Sequence, residues 1–272
     1  MIEVAVGCEF QFVAAHPTHA VVVVEPHLSE RHRILRQRFS VQPEATSSGY
    51  LDLFGNWCRR LTLPGGEATL RFDALVETSE SADDVEEGAL EHPPAELPDD
   101  VLVFLLPSRY CPSDTIADFA FQQFGAHPPG WGRVEAISAW VHEHVRFDYM
   151  SASPSATSAD VFESGAGVCR DFAHLGIALC RALNIPARYV FGYLPDIGVP
   201  DLGMPMDFCA WLEVYVGGRW FTFDPRNHQH RVGRTVIGRG RDAADVAMVT
   251  TFGSVELRKM TVVAEPVADL AG

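Results

Sequence analysis

Long hydrophobic runs are missing from this 272-residue chain. The longest, Val21–Val24 and Val101–Leu106, fall far short of the ~20 apolar residues a spanning helix needs, so a helical membrane protein is excluded. The opening residues, MIEVAVGCEF, carry no basic start, apolar stretch or small-residue cleavage site, the marks of a secretion signal. Basic charge is also scarce. Lys plus Arg number 21 against 36 Asp plus Glu, a formal net charge of −15. Such a chain repels nucleic-acid backbone and anionic membrane unless it carries a strong basic patch. The nearest to one, Arg231, Arg234, Arg239 and Arg241, runs straight into Asp242 and Asp245, so neither nucleic acid nor membrane is expected as a partner. No GxGxxG or Walker loop is present, and no organic cofactor is implied. The six cysteines contain no CxxC pair, which argues against a disulfide framework and an all-cysteine zinc site. Reduced thiols in a cytoplasm are the expectation.

At 47% hydrophobic and 21% charged residues, the composition is that of a folded globular chain with room for one large or two modest domains. The first ~100 residues read as β-rich. Ile2–Phe12 alternates apolar and polar residues, Val21–Val24 is β-branched, and Gly49–Phe54, Trp57–Leu63, Ala68–Val76 and Val101–Leu105 are further short apolar segments. PGGE at 64–67 reads as a hairpin turn. His16, His19, His27 and His32 lie in turn-like stretches without the tight spacing of a metal site. Residues 78–100 are acidic and proline-rich, as in a solvated linker. Beyond them, helices are predicted over Ala117–Phe124, Val134–Val145 and, as a short turn, Ala159–Phe162. Ala187–Tyr193 reads as a strand, Asp207–Val216 and Trp220–Asp224 as a hairpin across Gly217–Gly218, and Glu256–Val263 as a last strand.

The segment SGAGVCRDFAHLGIALCRALNIPARYVFGYL, residues 164–194, is the most informative. A glycine-rich bend meets a helix at Cys169, and Asn184 with Ile185–Pro186 ends it. A helix N-terminus presents free N–H groups and the positive end of its dipole, so a thiol there ionises more easily, and the thiolate is the reactive form. GVCRDFAHL with IALCRALNIPARYVFGYL resembles the nucleophile helix of bacterial transglutaminase-like proteins, and MDFCAWLEVYVGGRWFTFDPRN, residues 206–227, resembles their second motif. The likeness spans roughly residues 105–265. It implies a papain-like α+β core, a Cys-bearing helix on an antiparallel sheet, preceded by the β domain found in one bacterial branch.

By this resemblance the nucleophile falls on Cys169 and the acid that orients the histidine on Asp224. The family histidine precedes an Ala-Trp pair; here that pair is Ala210–Trp211 and the preceding residue is Cys209. A thiol lacks the two nitrogens with which an imidazole takes a proton while hydrogen-bonded to a carboxylate. Three readings follow. A substitute base acts, with His228 in PRNHQHR ahead of His230 and His174; or the Cys169 thiolate works without a general base on an activated ester or thioester; or the core is a binding or scaffolding module. Cys180 is expected in the core, Asp171 as a cap or partner of an Arg, Tyr149 at the cleft, and Trp211 as support for its wall. Cys169, Cys209, Asp224 and a histidine together have zinc-ligand chemistry, but the family pattern already explains these positions, so no metal is expected.

The sequence therefore predicts a β-rich domain over 1–105 and a transglutaminase-like α+β core over 106–272. The expected activity is cysteine-dependent acyl hydrolysis or transfer at amide, peptide or isopeptide bonds through a thioester on Cys169. Cys209, Asp224 and His228 are the accompanying site residues. The expected partners are a peptide or amide substrate and, for transfer, an amine acceptor; the backbone N–H of Cys169 is the expected oxyanion donor.

Overall fold

A computed structural model describes residues 1–28, 32–200, 203 and 205–267. Six strands open the chain: β1 (Ile2–Ala14), β2 (Thr18–Val22), β3 (His32–Gln42), β4 (Ser47–Leu51), β5 (Trp57–Leu63) and β6 (Gly66–Thr78). After three short 3₁₀ turns come α1 (Ala117–Phe124), α2 (Trp131–His144), β7 (Arg146–Phe147), α3 (Ser158–Ser164), β8 (Ala166–Gly167) and α4 (Cys169–Ala182). The chain continues through β9 (Ala187–Tyr193), β10 (Cys209–Val216), β11 (Arg219–Phe223), β12 (Thr235–Gly240), β13 (Val249–Thr251) and β14 (Val255–Pro266). Among the described residues no helix is long and apolar enough to cross a membrane.

Three four-stranded sheets result, in the orders β14-β1-β6-β3, β13-β2-β5-β4 and β11-β10-β9-β12. The alternation in β1 buries Val4, Val6, Cys8, Phe10 and Phe12, the period-2 pattern of a half-buried strand. Two strand expectations need correction. PGGE does not close a hairpin, because β5 pairs with β2 and β4 whereas β6 pairs with β1 and β3; the four residues carry the chain from one sheet to the other. Val101–Leu105 is not a strand. Pro98 and Pro107 bracket it, Val101 N–H reaches Pro98 O at 2.9 Å and Phe104 N–H reaches Val101 O at 3.0 Å, and the segment coils into a 3₁₀ turn. The arginine-rich β3 gave no sequence signal because it is an edge strand with most side chains outward, where charge is an asset against aggregation. The division at 105/106 places residues 249–266 with the core half, yet β13 and β14 pair with β2 and β1, inside the two N-terminal sheets.

In the third sheet, α4 is the central helix. Every residue from Asp171 to Arg181 is buried, as a helix enclosed on all sides requires. It lies on β9 and β10, and a Cβ at Gly176 would stand 3.4 Å from the Leu212 methyls. The β10–β11 hairpin turns through Gly217 and Gly218 at φ 60° and 79°, the left-handed pair that a two-residue turn favours. The N-terminal sheets are fastened to this unit by polar bonds. Asn56 Nδ2 donates to Arg239 O and Arg239 N–H donates to Asn56 Oδ1, both at 2.7 Å, and Tyr193 Oη donates to Val24 O at 2.8 Å. One continuous apolar cluster joins Phe10, Leu63 and Phe72 to Leu175, Leu179 and Phe221.

Residues 78–100, expected as a solvated loop or linker, form a largely exposed loop that is also docked at a few points. Ala89 is buried, its carbonyl accepts Trp131 N–H at 2.9 Å, Leu90 O accepts Gly217 N–H at 2.8 Å, and Asp83 enters the buried ion cluster described below. Acidic composition reported local solvation, while the decisive contacts are backbone bonds that composition does not encode.

Glu213 holds the third sheet across three strands. It accepts from Arg188 Nε of β9 at 2.7 Å and from Arg239 Nε and Nη2 of β12 at 2.9 and 3.0 Å. Burial alone would raise its carboxyl, but the two guanidiniums hold it at about 2 against an ordinary 4.5. A carboxyl depressed in the folded state contributes stability above its unfolded value and loses it as pH falls toward the folded one. Glu213→Gln should therefore cost about 3 kcal/mol or more at neutral pH in urea denaturation, since removing one member strands two buried cations. The difference from wild type should shrink as pH drops from 4.5 toward 2. Equal stability at neutral pH would contradict the assignment.

Candidate active site

The chain reaches the site through Gly165, in the left-handed region at φ 62° as the C-terminal cap of α3, a conformation glycine adopts without penalty. A Cβ on Gly167 would come within 2.7 Å of Asp171 Cβ, so glycine there lets the first turn of α4 fold back on its approach. Asp171 then accepts Val168 N–H at 2.9 Å and Arg170 Nε at 3.2 Å. It both caps the helix and pairs with an arginine. Cys169 is the first residue of α4, at the positive end of the helix dipole.

Cys209 opens β10 and faces Cys169 across the α4–sheet junction. The two thiols are electrostatic neighbours; Cys169 Sγ donates to Phe208 O at 3.8 Å and Cys209 Sγ to Ala210 O at 3.9 Å. The Cys169 thiol is shifted below its ordinary range, first by the neighbouring Cys209 thiol and then by Ala210 N–H, against burial and the Asp207 and Asp224 carboxylates. Cys209 is pushed well up, first by the neighbouring Cys169 side chain, then by burial and by Asp224. A coupled pair loses its protons in two steps; here the first leaves Cys169, which has the helix terminus and an N–H donor, and Cys209 keeps the second beside a carboxylate.

Asp224 follows β11, buried behind Cys209. It accepts Asn227 Nδ2 at 2.8 Å, Asn227 N–H at 3.0 Å and Arg234 Nη2 at 2.8 Å. Asn227 Nδ2 stands 3.9 Å from Cys209 Sγ, which places an amide between acid and thiol. Arg234 Nε donates to both Asp83 oxygens at 2.9 Å, and its guanidinium lies 4.7 Å over the Trp211 ring. Trp211 is thus buried support for the wall. The site's cation–anion cluster includes Asp83, from a segment that sequence patterning sets aside.

Cys169 and Cys209 open onto a cleft of about 870 Å³. Its far wall is made by Phe10 and Phe12 of β1 and Leu257 and Met260 of β14, and Tyr149 and Arg226 also line it. The first ~100 residues, which have no catalytic spacing, therefore contribute Phe10 and Phe12 to the cleft wall, and the β1 alternation had marked only a core face. Tyr149 lies at the cleft as expected.

The histidines are placed differently. His174 is buried, stacked on Tyr110 with centroids 5.2 Å apart. Its Nε2 accepts Ala243 N–H at 3.1 Å, and burial holds the ring well below its ordinary value; it is a structural residue. His228, at φ 48°, is exposed and stacks on His142 at 5.0 Å rather than lining the cleft; His230 is exposed. The histidine that does line the cleft is His142 on α2, with Nδ1 2.9 Å from Pro225 O. Nothing in the α2 sequence marks it, because its position there follows from how the helix packs. Cys180 is buried and its thiol pushed up by burial. Among the described residues no group of three or more His, Cys, Asp or Glu side chains is placed to hold a metal ion.

Comparison with known proteins shows the family. The sequence model of the transglutaminase-like superfamily matches residues 118–225, from α1 to the residue after Asp224. An uncharacterised protein of Mycobacterium tuberculosis is 30% identical over 243 residues, covering 81% of this chain and 77% of that one. Another from Mycobacterium leprae is 27% identical over 234 residues, covering 82% and 81%. The crystal structure of a proposed cysteine protease from Cytophaga hutchinsonii superposes with a TM-score of 0.88 at 32% identity, covering 98% of this chain and 91% of that one. The chain belongs to the transglutaminase-like superfamily, with an α+β transglutaminase-like core and a β-rich N-terminal region.

Proposed function

We propose that the protein is a cysteine-dependent acyl hydrolase or transferase, acting on amide, peptide or isopeptide bonds through a thioester on Cys169. The observation that carries this reading is a half-exposed thiol of lowered pKa at the start of a buried helix, open to a large cleft. The thiolate attacks the acyl carbonyl, the backbone N–H of Cys169 donates to the developing oxyanion, the leaving group departs, and water or an amine resolves the thioester. The similarity to a proposed cysteine protease supports the same chemistry. Free thiols throughout suit a reducing cytoplasm.

With a thiol at position 209, no imidazole stands ready to protonate an amine leaving group. Esters and thioesters, whose leaving groups depart without that help, are the acyl donors the site handles most readily. His228 as substitute base would have to act from the exposed stack with His142. The second reading, a binding module on the same fold, is favoured by one observation: Asp224, the family's orienting acid, is occupied by Arg234 and Asn227.

Two tests follow. Iodoacetamide at neutral pH should alkylate Cys169 in the folded protein while Cys8, Cys58, Cys111 and Cys180, all buried, stay unmodified in peptide mass maps. Alkylation of Cys180 at the rate of Cys169 would contradict the nucleophile assignment. Cys209→His should raise turnover of simple amides by ~10²–10⁴-fold, the usual worth of a positioned general base, and adding Cys169→Ala should abolish the gain. If neither wild type nor Cys209→His forms an acyl-enzyme with activated esters, by intact mass, the binding-module reading takes its place.

A further inference from the structure

The six cysteines divide into two kinds. Cys8, Cys58, Cys111 and Cys180 are buried, and burial pushes the first three up to about 12, 11 and 12. Cys169 and Cys209 are half-exposed and line one cleft, with Cys169 Sγ 3.8 Å from the carbonyl of Phe208, the residue before Cys209. Acyl transfer needs one of these sulfurs. The second is a thiol on the same cleft beside the nucleophile, and that is the arrangement in which an oxidised cysteine is captured by a resolving one.

We propose that Cys169 and Cys209 form a reversible oxidation site for hydroperoxides, with Cys169 as the sulfur that takes the oxygen and Cys209 as the resolving thiol. The Cys169 thiolate attacks the distal oxygen of the peroxide; the O–O bond breaks, the alcohol or water leaves with a proton, and Cys169 becomes a sulfenic acid. The Cys209 sulfur attacks the Cys169 sulfur, the S–O bond breaks, and the hydroxyl departs as water with the Cys209 proton. The peroxide is reduced by two electrons and the two thiols are oxidised to one disulfide. An external thiol restores both.

The local backbone suits this step. The two sulfurs must close to about 2.05 Å. Cys169 is the first residue of α4 and Cys209 the first of β10, so each side chain hangs beside irregular chain. Cys169 Sγ already lies 3.8 Å from the carbonyl of Phe208, next in sequence to Cys209. Asn227 Nδ2, 3.9 Å from Cys209 Sγ, can donate to a developing thiolate. The disulfide would also withdraw Cys169 from acyl chemistry. The oxidation itself requires only the two sulfurs and stands whether or not the protein transfers acyl groups.

The experiment treats the full-length reduced protein with hydrogen peroxide, blocks remaining thiols and maps peptides by mass. The expected result is a linked pair of peptides carrying Cys169 and Cys209, short of two hydrogens, monomeric on a non-reducing gel and cleaved by dithiothreitol. Cys209→Ser should instead trap the sulfenic acid, with dimedone labelling of Cys169 at least ~10-fold above wild type; Cys209→Ala serves if the serine variant does not fold. Wild-type Cys169 that takes up dimedone or two oxygens while Cys209 stays free, or that peroxide leaves unchanged, would overturn the proposal.

Discussion

The pairing of the Cys209 and Cys169 side chains at one cleft is the interaction on which the proposed chemistry of this site depends. In that reading it sets which of two neighbouring sulfurs carries negative charge. Burial and the Asp207 and Asp224 carboxylates all work against a thiolate at position 169; the Cys209 proton, Ala210 N–H and the dipole of α4 outweigh them. In related active sites an imidazole draws off the nucleophile's proton. In the proposed reaction a second thiol stabilises the anion without removing the proton from the pair, and the price is the loss of a ready acid for the leaving group.

Around that contact the protein builds a rigid frame of paired charge. Asp83, Arg234 and Asp224 form a buried chain in which both side-chain faces of the arginine are used, one on carboxylates and one on Trp211. Glu213 with Arg188 and Arg239 ties three strands of the same sheet. Buried charges of this kind are costly to break rather than strongly stabilising in net terms, so their consequence is geometric: β9, β10 and β12 are held together in the sheet that carries Cys209. The N-terminal sheets complete the frame by walling the cleft with Phe10, Phe12, Leu257 and Met260.

Local signals in the sequence were read correctly where local physics dominates. α1, β5 and β9 have the expected limits, and the Gly217–Gly218 turn has the backbone its glycines imply. The glycine bend before α4 and the burial of Cys180 also follow from residues near them in sequence. The failures are non-local. PGGE turns the chain as expected, but only tertiary pairing shows that its flanking strands enter different sheets. Asp83 lies in an acidic stretch that composition assigns to solvent, and its partner is 151 residues away. His142 reaches the cleft because α2 packs beside the Asp224 loop, a placement invisible in helical periodicity. The return of β14 to β1 likewise needs the whole fold.

The most direct measurement is the thiolate titration of Cys169, read as the pH dependence of its alkylation rate in wild type and in Cys209→Ala, with peptide mapping to confirm the site. The wild-type midpoint should fall below the ordinary thiol value of about 8.5 and rise clearly once the Cys209 thiol is removed. A wild-type midpoint at or above the ordinary value, or one that Cys209→Ala leaves unmoved, would contradict the central claim that Cys209 sets the charge on the nucleophile.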